Sequence, residues 1–204
     1  EGKDLKYNGS STRLLPGAAP GSIPWDAFDV DIVIDSTGAY RKREELQMHI
    51  DSGAKRVLVS KPPVNDIDRI VIQGINEDQI DNSDKIISTT SSTTQVLALM
   101  MKVLDESFEV NRAMMTTVHA YTSDQPLADA VRSDLRRSRS AVENIIPNET
   151  WAPDYVSQLM PKFKDKISGI AMNVPVANGS CVDLTTEMKR IPSVDEANKV
   201  FQDE

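Results

Sequence analysis

Lys85-Ile86-Ile87-Ser88-Thr89-Thr90-Ser91-Ser92-Thr93-Thr94-Gln95-Val96-Leu97-Ala98-Leu99-Met100-Met101 is the stretch on which the fold turns, because an apolar strand stops at Ile87 and an apolar helix begins within a few residues. Between them lie only small hydroxyl side chains and one amide. A strand that turns directly into a helix through Ser and Thr leaves free backbone N–H groups and the positive end of the helix dipole facing a pocket. That geometry suits a nucleophile, an oxyanion or a phosphate. It equally suits plain N-capping, the usual task of Ser and Thr before a helix, so this stretch alone leaves both readings open. A second segment adds weight to the functional one. Arg112 to Gln125 reads as a strand that delivers His119, one of only two histidines, into a polar loop at Tyr121 and Thr122.

Working outward toward the N-terminus, Val30 to Asp35, Lys55 to Ser60, Ile70 to Ile75 and Lys85 to Ile87 are short β-branched runs. A helix from Arg41 to Ser52 and several loops separate them. The pattern predicts a parallel α/β sheet whose strands are buried. Ligands of such sheets bind beyond the carboxyl ends of the strands, and Ser36, Thr37, Gly38, Ser60 and the Ser88 to Thr94 stretch fall there. Gly38 permits a tight turn and close approach of a ligand to the backbone. His49 reads as a surface or boundary residue of its helix, and Leu5 to Leu14 has room for a short hairpin.

Toward the C-terminus, a helix from Ser92 to Phe108 precedes longer strands at Arg112 to His119, Ile167 to Val174 and Cys181 to Met188, which read as a sheet with one covered face. Cys181 and the pairs Met100-Met101 and Met114-Met115 read as core. Helices are expected at Pro153 to Met160 and from Ser193 to Glu204. The long polar segment Tyr121 to Arg139 has the character of a functional loop.

Composition narrows the class. The 204 residues carry a net charge of −8, with Asp and Glu spread along the chain, which disfavours nucleic acid as a partner because such binding rests on clustered Lys and Arg. No apolar run approaches the length of a transmembrane helix, so no membrane partner is expected. The single cysteine, Cys181, excludes an internal disulfide framework and a Cys-rich zinc site. No metal is expected, and a reducing cytoplasm is the natural location.

The motifs carry a resemblance. Ser88 to Gln95 resembles the active-site segment of the phosphorylating glyceraldehyde-3-phosphate dehydrogenase family, and Thr116-Thr117-Val118-His119-Ala120-Tyr121-Thr122 matches the family's histidine segment almost letter for letter. Val30 to Gly38, Asp134 to Arg139, Asn144 to Pro147 and Ile170 to Pro175 follow in the family's order, so the likeness spans nearly the whole chain. It implies an α/β fold in two parts. Residues 1–91 would be the C-terminal part of an NAD(P)-binding domain with a partial doubly wound parallel (Rossmann) sheet. Residues 92–204 would be the N-terminal part of an α+β catalytic domain with a mostly antiparallel sheet.

In that family a cysteine attacks an aldehyde, a histidine takes the proton, hydride passes to the dinucleotide, and inorganic phosphate cleaves the thioester. The resemblance places Ser92 at the nucleophile position and His119 as the base. It places Ser91, Thr93, Thr122, Arg137 and Thr150 around the substrate and phosphate, with Arg139 a near alternative to Arg137 and Trp151 directly after Thr150. Ser36, Thr37, Gly38 and Ser60 would face NAD or NADP, with Ser60 beside the nicotinamide. A small phosphorylated or related aldehyde is the implied substrate, and a homotetramer the implied assembly, with Tyr121 to Arg139 between subunits.

Three departures bear on activity. Ser92 stands where the family has cysteine. A cysteine starts near pKa 8.5 and reaches roughly 4–7 beside an imidazole at a helix N-terminus, whereas a serine hydroxyl starts far higher and a helix dipole contributes at most about 2 kcal/mol. Ser92 therefore stays protonated unless His119 removes the proton during attack, and impaired dehydrogenase activity is expected. Asn173 replaces an arginine that faces phosphate, which weakens anion binding. Trp151 replaces a glycine, where its bulk would close the site or repack the pocket wall.

Ser92 fits either an introduced Cys→Ser change or a native serine in a divergent member. No Gly-x-Gly-x-x-Gly turn appears, so an internal fragment of a longer protein is expected. The leading function is NAD(P)-dependent aldehyde oxidation. The alternative is a non-catalytic relative with a binding or regulatory role in an assembled tetramer. Serine-based ester hydrolysis is remote, since the sequence names no third group to orient the imidazole.

Overall fold

The computed structural model describes residues 4–17 and 19–203. The chain forms two compact units, one made of Glu1–Val71 and Glu77–Thr90, the other of Ile72–Asn76 and Ser91–Glu204.

The first unit opens with the hairpin β1 (Asp4–Tyr7) and β2 (Ser10–Arg13), paired from Asp4 with Arg13 to Tyr7 with Ser10. There follow β3 (Ile32–Asp35), α1 (Arg43–Asp51), β4 (Arg56–Val59), β5 (Arg69–Ile70) and β6 (Ile86–Ser88). The last four strands make an all-parallel sheet in the order β3-β4-β6-β5. Leu46 of α1 packs on Val57, Val59 and Ile86, with Tyr40, Ile50 and Ile67 around them. The register sets Asp35 against Val59 and Val59 against Ser88, so the polar strand ends share one edge.

Two features differ from the sequence pattern. β3 is an edge strand covered on one face, and Ile34 is 68% exposed although a strand of this composition is expected to be buried. The apolar run Ile70 to Ile75 is a strand only as far as Ile70. Beyond it the Asn76 side chain accepts the Ile72 N–H at 2.9 Å and turns the chain, and Ile72 joins the core of the second unit. Periodicity cannot tell a short buried strand from a buried turn of the same composition.

The second unit contains α2 (Ser92–Phe108), β7 (Val110–Ala120), β8 (Ile146–Asn148), α3 (Ala152–Leu159), β9 (Ile167–Val174), β10 (Ser180–Met188) and α4 (Val194–Asp203). Glu204, to which the last helix was expected to run, lies outside the described residues. The sheet order is β10-β7-β9-β8, with β7 and β9 parallel and the two outer pairings antiparallel. The seventeen residues of α2 bury Leu97, Ala98, Met101, Leu104 and Phe108, at the i, i+3, i+4, i+7 spacing that puts them on one face. These pack with Ala113 and Met115 of β7 and with Ala152 and Val156 of α3.

Alternation along the strands corrects two expectations. Met101 and Met115 are core, but Met114 points outward. Cys181 is exposed and shares the outward face of β10 with Asp183, Thr185 and Glu187, because successive strand residues face opposite sides.

Leu97 has no exposed surface, whereas Leu99, two residues on, is partly exposed. Leu97→Ala should cost ~2–5 kcal/mol in denaturant unfolding followed by circular dichroism. Leu99→Ala should cost less than about 1 kcal/mol, and equal effects would contradict this packing.

Candidate functional site

In the second unit, α2 starts where the hydroxyl run predicts. Ser91 is the N-cap: its Oγ accepts the Thr94 N–H at 3.1 Å and lies 2.9 Å from Thr94 Oγ1. Its carbonyl accepts the Gln95 N–H at 3.0 Å. The capping reading therefore holds for Ser91 and frees the next residue. Ser92 is the first helical residue and is exposed. Among the described residues, no hydrogen bond uses the N–H of Ser92 or Thr93. Two unsatisfied donors of the first turn, with the positive end of the dipole, thus accompany the Ser92 hydroxyl. Thr90, just before the cap, is a buried β-branched residue at φ 59, a conformation such residues rarely adopt outside functional turns.

His119 ends β7 half-buried, with Nδ1 2.9 Å from the carbonyl oxygen of Ala120. A carbonyl only accepts, so Nδ1 carries the proton and Nε2 keeps its lone pair. The group that orients the imidazole, which no sequence motif names, is therefore the main chain beside it. The Ala120 carbonyl also accepts from Asn173 Nδ2 at 3.3 Å. This is possible because the β7/β9 register sets His119 opposite Asn173.

From Asn173 the hydrogen bonds run on. Asn148 Nδ2 donates to Asn173 Oδ1, and Arg137 Nη1 donates to Asn148 Oδ1 at 3.3 Å. Arg137 Nη2 pairs with Asp124, and the Thr122 hydroxyl donates to the same carboxylate. Gln125 Oε1 accepts the Thr122 N–H at 3.0 Å. His119, Thr122 and Arg137 thus belong to one network, joined through Asn173, Asn148 and Asp124. Arg139 lies outside it and pairs with Asp129 at 3.1 Å. Within this network Arg137 pairs with Asp124, Arg132 donates to the Asp124 carbonyl, and Asn173 is neutral.

The Thr122 hydroxyl bond is the main reason the Asp124 carboxyl sits below the ordinary carboxylate range. Burial pushes it the other way, and Arg137 and Arg132 help to hold it down. Thr150 Oγ1 accepts the Ala152 N–H at 3.3 Å and starts α3. Trp151 does not close over anything within its unit: it is 64% exposed and forms one wall of an open groove with Arg136, Asn148, Thr150 and Ile170. No hydrogen bond joins Ser92 to His119, and neither Ser91 nor Thr93 enters the network among the described residues.

In the first unit, Ser36, Thr37 and Gly38 turn off the carboxyl end of β3. Thr37 N–H and Oγ1–H both donate to Asp35 Oδ1, at 3.0 and 2.7 Å. Ser60 N–H and Oγ–H both donate to the Asp35 carbonyl, at 3.0 and 3.2 Å. Gly38 has φ 70, and a Cβ built there would meet only Lys61 Cε, at 3.4 Å. The left-handed turn at Gly38 is thus open enough for another molecule to approach its backbone closely.

His49, expected at the surface or boundary of its helix, is buried between Trp25 and Asp35. Asp35 and Trp25 were not singled out as partners in the sequence, because their contact with His49 crosses elements that are distant in the chain. For Asp124 and Gln125 a signal was present, since they follow Thr122 at the spacing of a side-chain-closed turn. No group of three His, Cys, Asp or Glu able to hold a metal occurs among the described residues, and no helix there is long and apolar enough to cross a membrane.

Comparison with known proteins bears on both units. Residues 91–204 match the model of the glyceraldehyde 3-phosphate dehydrogenase C-terminal domain. The chain is 44% identical over 199 residues to the glyceraldehyde-3-phosphate dehydrogenase of Streptomyces coelicolor, covering 97% of this chain and 59% of that protein. It is 45% identical over 184 residues to that of Mycobacterium leprae and 43% identical over 183 to that of Mycobacterium tuberculosis, in each case covering 90% of this chain and 54% of the relative. The chain thus spans a little over half the length of the curated relatives it matches.

Nuclear magnetic resonance titration of the Asp124 carboxyl should give a midpoint below the value of an unstructured aspartate, about 3.9. A depressed carboxylate stabilises the fold above its unfolded pKa, and that contribution fades as pH falls through the folded value. Thr122→Val should move the midpoint upward; no movement would mean that the hydroxyl bond is not its main cause.

Proposed function

Because the chain belongs to the glyceraldehyde-3-phosphate dehydrogenase family, we propose that it carries the working parts of an NAD(P)-dependent aldehyde oxidoreductase, impaired by a serine at the nucleophile position. The observation that carries this reading is the pairing, in one unit, of an exposed hydroxyl at the start of α2 with a histidine whose Nε2 lone pair is free.

Ser92 Oγ would attack the aldehyde carbon and His119 Nε2 would take its proton. The unpartnered N–H groups of Ser92 and Thr93 suit the oxygen that becomes negative during attack. Serine is the weak link. Its proton leaves only during attack, and the oxygen adducts are poorer intermediates for hydride loss and for cleavage by phosphate than their sulfur counterparts. Ser36, Thr37, Gly38 and Ser60 would hold NAD or NADP, which when bound supplies the hydride acceptor.

The substrate is a small aldehyde, phosphorylated or related to one, bound near Thr122, Arg137 and Thr150. With Arg137 paired to Asp124, the neutral Asn173 beside them adds no positive charge for a dianion. Phosphate is therefore held more weakly than it would be with arginine at position 173.

A second reading, a non-catalytic relative in an assembled tetramer, draws support from the Tyr121 to Arg139 loop. Leu127, Val131 and Leu135 are exposed there, as an interface between subunits requires.

Ser92→Cys separates the two. On the first reading, the new thiol should react with iodoacetamide about tenfold or more faster at pH 7 than the exposed Cys181, because a helix N-terminus and a histidine lower its pKa, as read by peptide mass spectrometry. NAD(P)-dependent aldehyde oxidation should rise by about 10²-fold or more over the serine form. Equal alkylation of the two cysteines would remove Ser92 from the site. Rapid alkylation without turnover would favour the second reading. Asn173→Arg should tighten inorganic phosphate binding by roughly tenfold or more in calorimetry, and unchanged affinity would exclude position 173 from the anion site.

A further inference from the structure

The buried group Trp25, His49 and Asp35 in the first unit has no part in the chemistry at Ser92 and His119. Asp35 is 4% exposed and His49 6% exposed. Asp35 Oδ1 is occupied by the N–H and hydroxyl of Thr37, and its other oxygen, Oδ2, has one partner among the described residues, His49 Nε2 at a long 3.5 Å. On the far side of the ring, Trp25 Nε1 lies 3.1 Å from His49 Nδ1. An indole N–H only donates, so Nδ1 must accept, and the ring proton is left on Nε2. The tryptophan thereby selects the tautomer that can donate to Asp35.

Two backbone features hold Trp25 in place. It begins a short 3-10 turn, Trp25–Phe28, whose Asp26 N–H donates to the carbonyl of Ser52 at 3.3 Å. Gly53, at φ 104, lets that turn lie against the end of α1, since a Cβ there would come within 2.6 Å of Asp26 N. At the other end, Asp35 holds the turn by its carboxylate and Ser60 by its carbonyl. One continuous set of hydrogen bonds therefore leads from Trp25 through His49 and Asp35 to Thr37 and Ser60. Trp25, His49, Asp35 and Thr37 line a single cavity with Ile23 and Tyr40.

We infer that His49, fixed as its Nε2–H tautomer by Trp25, is a positioning residue that sets Ser36, Thr37 and Gly38 for the dinucleotide through Asp35. The inference deepens the reading of that turn as part of the NAD(P) site and rests on it for the ligand, while the tautomer and the turn geometry stand apart from ligand binding. Without the His49 donor, Asp35 Oδ2 is left buried with no partner, an arrangement that a buried carboxylate relieves by moving or taking up a proton. Either response disturbs the two bonds that hold Thr37.

The test uses the full chain. Long-range nitrogen–proton correlation at neutral pH should show His49 with a proton on Nε2 and none on Nδ1, and Trp25→Phe should populate the other tautomer. His49→Phe should shift the amide signals of Thr37, Gly38 and Ala39 and weaken NAD(P) binding about tenfold or more in calorimetry, while His49→Gln, whose amide can donate to Asp35, should recover part of both. A proton on Nδ1 in the unaltered chain would overturn the inference without any variant having to fold. So would Thr37 and Gly38 signals unmoved in a folded His49→Phe. If the unaltered chain binds neither NAD nor NADP, the cofactor reading fails, and the tautomer and amide shifts still decide whether His49 positions the turn.

Discussion

The parallel pairing of β7 with β9, from Ala113 with Ile167 to Ala120 with Val174, is the constraint on which the second unit depends. It puts Ala113 and Met115 on the face that α2 and α3 cover, so the register that builds the core also fixes the polar end of the sheet. A slip of one residue would move every side chain to the other face, and with it both Met115 and His119. At the open end of this ladder His119 meets Asn173, and the Ala120 carbonyl accepts from both. Parallel neighbours require a long crossover, and the crossover here carries Thr122, Asp124, Arg137, Asn148 and Thr150. Core packing and site assembly are therefore one event in the fold, with Asn173 as the shared member.

What could be read from the sequence follows from how local each signal is. The long elements, α2, β7, β9 and β10, declare themselves through periods of 3.6 and 2, and Ser91 and Ser92 through their place at a strand-to-helix junction. Motif likeness carried the family. The failures come from interactions between distant segments. His49 looked like a boundary residue because one turn of α1 carries no sign of Trp25 or Asp35. Cys181 looked like core because a cysteine in a strand usually is, yet its parity along β10 placed it with Asp183 and Thr185. The run Ile70 to Ile75 failed for a third reason: its apolar residues are buried as expected, but by two different cores. Asn148 could not be singled out at all, since its value lies wholly in joining Arg137 to Asn173.

Substitutions at the site act in the same direction. On the proposed reading, a hydroxyl at position 92 ionises far less readily than a thiol would, and the neutral amide at position 173 adds no cation to hold phosphate. Neither change costs the fold anything visible. Ser92 is a comfortable first residue of a helix, and Asn173 satisfies its amide with Ala120 and Asn148.

The two histidines show how differently the same ring can be used. At His119, Nδ1 donates to a carbonyl, and the lone pair of Nε2 has no partner among the described residues. At His49, Nδ1 receives from an indole, and the proton on Nε2 is committed to a buried carboxylate. One tautomer leaves a base available and the other consumes both nitrogens within the fold. Of the two imidazoles, therefore, only His119 keeps an uncommitted ring nitrogen, and this follows from which atom faces Nδ1 in each case: an oxygen that can only accept, or an N–H that can only donate. His49 can affect such chemistry only at one remove, through the shape of the turn that Asp35 holds.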